Sequence, residues 1–98
     1  MAWTYILECS DGTYYVGSTV DLQRRLWQHE EGLGAAYTRS RRPVTLVWSA
    51  EFARVDQAFA FEKRVQGWSR RKRQALIEGR YADLPGLASR GWESLRNR

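Results

Sequence analysis

Tyr14-Tyr15-Val16-Gly17-Ser18-Thr19-Val20-Asp21-Leu22-Gln23-Arg24-Arg25-Leu26-Trp27-Gln28-His29 runs an aromatic strand through a glycine turn into a helix. Asp21 stands just before the helical run, where its carboxylate can cap the free amides of the first turn. Arg25 and His29 are four apart, so they lie one turn from each other on one helix face. Leu22 shares that face and Leu26 flanks it, which sets Arg25 beside the apolar stripe. A tyrosine, an arginine and a histidine are thereby aimed from one strand–turn–helix corner, an arrangement suited to a phosphate.

Upstream, residues 3–9 are rich in aromatic and β-branched types and read as a strand. Ser10-Asp11-Gly12 is a turn signal, and residues 13–17 read as the returning strand of a hairpin. The loop length decides whether Tyr5 and Tyr15 share a face. A two-residue Asp11-Gly12 turn pairs Ser10 with Thr13 and separates the tyrosines. A three-residue loop with Gly12 as a left-handed bulge pairs Cys9 with Thr13, sets Tyr15 opposite Leu7 and Tyr5 opposite Gly17, and makes the two rings diagonal neighbours. If both tyrosines serve one site, the three-residue loop is required.

Downstream, the helix runs to about residue 31, and Gly32 and Gly34 open a loop. Residues 38–43 form a basic loop stopped by Pro43. Residues 44–52 read as a third strand. Asp56 is placed to cap a helix over residues 57–67, and Ser69 another to Glu78, stopped by Gly79. The order is β-β-α-β-α-α. This is an α+β fold: a small three-stranded antiparallel sheet flanked by helices. Residues 1–80 make the domain. Residues 81–98 form a C-terminal extension, broken by Pro85 and Gly86, with Leu87, Trp92 and Leu95 available to pin it to the body.

The chain has 98 residues, is 43% hydrophobic and carries a net charge of +5. That is enough apolar material for one core. Fourteen of the sixteen basic residues are arginine, which forks onto phosphate oxygens and stacks on flat rings. Residues 1–38 sum to −3 and residues 39–98 to +8, an asymmetry suited to a nucleic-acid face. Cys9 is the only cysteine, so a disulfide framework and a Cys/His zinc site are both excluded, and it reads as a small buried residue. No apolar run approaches 18 residues, so no membrane span is expected and the cytoplasm is the simplest location.

Three further features bear on chemistry. His29, the only histidine, suits a proton carrier or a phosphate donor, against the plainer role of stabilising a helix end. Glu62 is four after Ala58 and three before Val65, inside the apolar stripe of its helix. A carboxylate on that side needs a partner, either a metal or an arginine. Basic clusters at Arg39, Arg41 and Arg42, and at Lys63, Arg64, Arg70, Arg71, Lys72 and Arg73, together with Arg24, can track a nucleic-acid backbone. The run from Arg70 to Arg73 opposes its own helix dipole, which favours a compensating anion.

With these residues in place, the chain resembles the GIY-YIG nuclease superfamily over about residues 3–78, above all its small stand-alone bacterial members. The Tyr-Ile-Gly motif appears as Tyr15-Val16-Gly17, and the Gly-Ile-Tyr motif as Trp3-Thr4-Tyr5, which keeps only the tyrosine. The family's arginine falls on Arg25, its histidine on His29 and its metal-binding glutamate on Glu62. Ala36-Tyr37-Thr38-Arg39 and Arg41-Arg42-Pro43-Val44 look like segments of the small branch. The asparagine of many members has its nearest counterpart in Gln74.

The resemblance implies an endonuclease that hydrolyses DNA phosphodiesters with one Mg²⁺ (or Mn²⁺) held by Glu62. Tyr5, Tyr15, Arg25, His29 and Glu62 would be catalytic, and Gly17 and Gly12 structural. Low sequence specificity, branched or single-stranded DNA, a role in DNA repair or recombination, and a possible partner protein follow as expectations. One tyrosine would orient or deprotonate the attacking water, and His29 would relay the proton; which tyrosine does so stays open. The alternatives are a nucleic-acid-binding module of the same fold without activity, or a protein-interaction module with an apolar patch around Trp27 or Trp92.

Overall fold

The computed structural model describes residues 1–84. They form β1 (Ala2–Glu8), β2 (Tyr14–Thr19), α1 (Leu22–Glu30), α2 (Ala36–Arg39), β3 (Thr45–Phe52), α3 (Val55–Gln66) and α4 (Arg70–Ile77), then a 3₁₀ turn at Tyr81–Asp83. The sheet is antiparallel with order β2-β1-β3, so the fold is the α+β arrangement expected. The one addition is α2, a single helical turn in a segment read as loop. Its first carbonyl, on Ala35, takes the amides of Thr38 and Arg39 at 3.2 and 3.1 Å. Leu87, Trp92 and Leu95 lie outside the described residues.

β1 is the central strand and is covered on both faces, so its apolar run is nearly continuous. Ala2, Thr4 and Ile6 point one way, because strand side chains alternate. There Ile6 meets the main core of Val16, Trp48, Phe52, Ala58, Phe61, Val65, Ala75, Leu76 and Leu84. Thr4 Oγ1 donates to the Ala58 carbonyl at 2.8 Å, tying α3 to this face. Tyr5 and Leu7 point the other way, and both are buried.

The hairpin loop has three residues. The Cys9 amide donates to the Thr13 carbonyl at 2.8 Å, and the Gly12 amide to the Cys9 carbonyl at 2.9 Å. Gly12 has φ +84°, the left-handed bulge that glycine adopts without strain. The Ser10 amide turns outward to the Arg41 carbonyl instead. Tyr15 therefore faces Leu7 and Gly17 faces Tyr5.

Caps account for most of the helix boundaries. Asp21 Oδ1 accepts the Arg24 amide at 3.1 Å, and Ser69 Oγ the Lys72 amide at 3.2 Å. Gly79, at φ +77°, ends α4. The start of α3 differs from expectation: Asp56 lies inside the first turn and pairs with Arg54 at 2.9 Å. Gln57 reaches back to the Arg54 amide at 3.2 Å, which starts the helix two residues earlier. Phe59 is 52% exposed, with Lys63 lying over its ring. Ala58, Phe61, Glu62 and Val65 are the buried face.

Candidate active site

The site is built around Gly17 on the edge strand. A Cβ there would lie 2.6 Å from the Tyr5 hydroxyl oxygen and 3.1 Å from the Tyr15 ring, so only glycine lets the two rings close over this backbone. Tyr5 comes from β1 and Tyr15 from β2, with ring centroids 6.4 Å apart. The Arg25 guanidinium, on α1, donates to Gln28 Oε1 at 3.0 Å and lies within electrostatic reach of both Tyr5 and Tyr15. Tyr5, Tyr15 and Arg25 are thus brought together from three elements.

His29 stands behind them. It is fully buried and both ring nitrogens are engaged, Nε2 with the Tyr5 hydroxyl at 2.9 Å and Nδ1 with Thr38 Oγ1 at 2.8 Å. Direct phosphate donation, one of the roles its position suggested, is closed to it. Burial lowers its pKa to about 4, and the nearby Arg25 charge adds to this. Burial pushes the Tyr5 phenol up to about 12, although the nearby Arg25 pulls the other way. At neutral pH the pair is a neutral phenol on a neutral imidazole.

Glu62 reaches the corner from α3, across the sheet. It is 9% exposed. Ser18 Oγ donates to Oε1 at 2.5 Å and Gln66 Nε2 to Oε2 at 2.7 Å, while Gln66 Nε2 also meets the Val16 carbonyl at 3.2 Å. Among the described residues no arginine pairs with Glu62, and Lys63 Nζ lies 3.8 Å from it. Its charge acts on Tyr5, raising the cost of ionising the phenol. Ser18 also lines a cavity of about 520 Å³ with Asp21, Arg24, Arg25 and Gln28. Gln66 lines one of about 320 Å³ with Tyr14, Tyr15, Tyr37 and Arg73. Glu62 is therefore held by one residue from each cavity.

A divalent metal fits this donor set. Glu62 offers a hard oxygen ligand held by neutral donors, and no group of three His, Cys, Asp or Glu exists among the described residues to make a full protein cage. A single carboxylate suits Mg²⁺, which keeps several waters and takes phosphate oxygens as further ligands.

The basic residues divide. Arg41 pairs with Asp11 at 3.0 Å and lies over the Tyr37 ring, and Arg42 donates to the Arg39 and Glu30 carbonyls. Arg70 donates to the Gly12 carbonyl at 2.7 Å, and Arg73 to the Val65 and Gln66 carbonyls at 3.1 and 2.7 Å. The like charges at the start of α4 are thus offset by the carbonyl end of α3 and by the hairpin, and no anion is required there. Lys72 lies over the Trp68 ring. Arg24, Arg39 and Arg71 have no side-chain partner among the described residues.

Four contributors escaped the sequence reading. Ser18 sits beside Gly17 and passed as a cap. Gln66 is four after Glu62, so helical spacing alone could have found it. The amide that meets Glu62 is this one rather than Gln74. Thr38 and Gly34 grip His29: a Cβ on Gly34 would clash with the imidazole, lying 2.9 Å from Cε1 and closer still to Nδ1.

Comparison with known proteins identifies the family. The family model described as the GIY-YIG catalytic domain matches residues 1–75. A UPF0213 protein of Halobacterium salinarum is 47% identical over 77 residues, covering 79% of this chain and all of its own length. One from Streptococcus pneumoniae is 39% identical over 92 residues, or 93% of each chain. The solution NMR structure of the UPF0213 protein BH0048 from Bacillus halodurans is 40% identical, with TM-score 0.53, covering 91% of this chain and 99% of that one. The NMR structure of EF2693 from E. faecalis is 29% identical, with TM-score 0.56, covering 82% and 85%. With its two tyrosines closed over Gly17 and the family model matched from Met1 through α4, the chain belongs to the GIY-YIG family.

Proposed function

We propose that the chain is an endonuclease that hydrolyses DNA phosphodiesters with one divalent metal, Mg²⁺ or Mn²⁺. The observation that carries this reading is the convergence of Tyr5, Tyr15, Arg25 and Glu62 on the Gly17 corner, from four different elements. Arg25, held by Gln28 beside the two tyrosines, is the group to bind a non-bridging phosphate oxygen. Glu62 would hold the metal, which when bound supplies Lewis-acid stabilisation of the phosphoryl oxygens.

Tyr5 is the tyrosine wired to a proton acceptor. The attacking water gives a proton to the Tyr5 oxygen as the Tyr5 proton moves to His29 Nε2. The water's oxygen bonds to phosphorus, the bond to the leaving sugar oxygen breaks, and that oxygen takes a proton from solvent. Tyr15, half-buried at the mouth, orients the water. The Arg25 charge helps to hold His29 neutral, so a phosphate paired with Arg25 offsets that charge and makes the imidazole a better acceptor. Nothing in this machinery reads a base, so low sequence specificity follows, with single-stranded or branched DNA as substrate and repair or recombination as the fitting role.

The test is cleavage of supercoiled, single-stranded and branched DNA in Mg²⁺, in Mn²⁺ and in chelator. Cleavage should require the metal. Glu62→Ala and Arg25→Ala should each slow it by about 100-fold or more. Tyr5→Phe should cost more than Tyr15→Phe. DNA binding without cleavage by the wild type would replace this reading with a non-catalytic nucleic-acid-binding module. Full activity in Glu62→Ala would place the chemistry elsewhere.

A further inference from the structure

The contacts around His29 form a chain whose direction is fixed at one end. There the Ala35 carbonyl, which can only accept, takes the Thr38 hydroxyl proton at 3.0 Å. Thr38 Oγ1 therefore presents a lone pair to His29 Nδ1, 2.8 Å away. With the proton on Nδ1, Nε2 is left to accept from the Tyr5 hydroxyl at 2.9 Å. The sequence of donors is phenol, imidazole, hydroxyl, carbonyl.

From this we propose that Thr38 is a positioning residue that holds His29 in its Nδ1–H tautomer, keeping Nε2 free to receive the Tyr5 proton. Free imidazole side chains in water favour the Nε2–H form. In this site that form would set the Nδ1 lone pair against the Thr38 oxygen and make Tyr5 accept from His29, leaving the buried Tyr5 proton without an acceptor among the described residues. Thr38 is buried and acts through the ring. Gly34 completes the grip, because its missing side chain lets the loop before α2 lie against the imidazole. The groups facing the ring are Tyr5 from β1, Tyr15 from β2 at 5.3 Å between centroids, and Arg25 from its own helix. Among the described residues the orienting position that an aspartate holds behind many catalytic histidines is held by a hydroxyl, not a carboxylate.

His29 is the only histidine, so its nitrogens give unambiguous signals in long-range ¹H–¹⁵N correlation spectra of the whole chain. At pH 7 the wild type should show a neutral ring with the proton on Nδ1. Thr38→Val, which keeps the shape and removes the hydroxyl, should shift the ring toward Nε2–H. Thr38→Ser should restore Nδ1–H. In the cleavage assay Thr38→Val should lower kcat about 10- to 100-fold with KM unchanged, and Thr38→Ser should recover it.

A wild-type ring protonated on Nε2 overturns the proposal, and so does an unchanged tautomer in folded Thr38→Val. Should Thr38→Val fail to fold, the wild-type and Thr38→Ser spectra decide it. The part played in proton transfer rests on the nuclease reading, but the tautomer does not. A wild type that holds Nδ1–H and cleaves no DNA would sink that reading alone.

Discussion

At the scale of single residues, the site stores its chemistry in two groups that burial keeps neutral. His29 has a folded pKa of about 4 against an ordinary 6.5. Between those values the unfolded chain binds a proton that the folded chain refuses, so stability rises with pH through that window and is lost as pH falls from about 6.5 to 4. The full difference is about 3 kcal/mol. Tyr5 sets the opposite limit: its phenol, pushed up to about 12 from 10, makes the fold lose stability as pH rises through that interval. Asp11 and Asp56 are held below their ordinary value by Thr13 and Arg54 hydrogen bonds respectively, so their losses begin below pH 4, outside the histidine window. Thermal melts between pH 7 and 4.5 should show Tm falling in the wild type and nearly flat in His29→Gln. A flat wild-type profile would mean that the imidazole takes its proton inside the fold. The sequence made His29 visible as the one histidine on the face of Arg25. It could not show burial, because the residues that bury it, Gly34 and Thr38, follow in a segment read as loop.

At the scale of elements, the hairpin is what makes the site possible, and its register was legible because the loop offers only two plausible lengths. Gly12 in a left-handed conformation selects the longer one, and that choice puts Gly17 under Tyr5. The prediction belongs to β2. In Gly17→Ala the new methyl meets a tyrosine that cannot swing aside, because its hydroxyl is held by His29 and its ring is buried. Such overpacking costs about 1–3 kcal/mol, and relief comes only by breaking the Tyr5–His29 contact. Denaturant unfolding should show the lowered midpoint, and cleavage should fall as far as in Tyr5→Phe. A variant with wild-type stability and rate would mean that the rings do not close on this backbone. Gly12→Ala tests the loop instead: it strains the bulge by about 1 kcal/mol while leaving the space over Gly17 open. The start of α3 shows where local signals mislead. Asp56 is a good cap by type, but Gln57 closes on the Arg54 amide first, and a start whose N-cap is an arginine, which cannot accept the amides of the first turn, carries no sequence signature. The α2 turn has no apolar period to announce it, being only four residues long.

Across the whole molecule, the positive charge that suggested nucleic acid is spent unevenly, and this sets what DNA binding should look like. Among the described residues no helix is long and apolar enough to cross a membrane. Arg41, Arg42, Arg70 and Arg73 satisfy carbonyls, a carboxylate and aromatic rings of the fold itself. Removing them should lower stability more than DNA affinity. Arg24, beside the cavity that Arg25 and Ser18 line, and Arg71, beside the one formed with Lys72 and Arg80, are exposed and unspent. A phosphate contact releases condensed counterions, so each such arginine adds about 0.7–0.9 to the slope of log affinity against log salt, the lower value for single strands. Binding to a fluorescent DNA oligonucleotide, measured from low to high salt with catalysis blocked by Glu62→Ala, should lose about that much slope in Arg24→Ala and again in Arg71→Ala. Melting temperatures of both variants should stay near that of their parent, while Arg42→Ala and Arg73→Ala should melt earlier and keep the parental slope. The reverse pattern would mean that Arg42 and Arg73, not Arg24 and Arg71, carry the DNA track. Composition can count arginines, but it cannot tell which guanidinium groups the fold has already used, and that distinction separates a binding face from a set of helix braces.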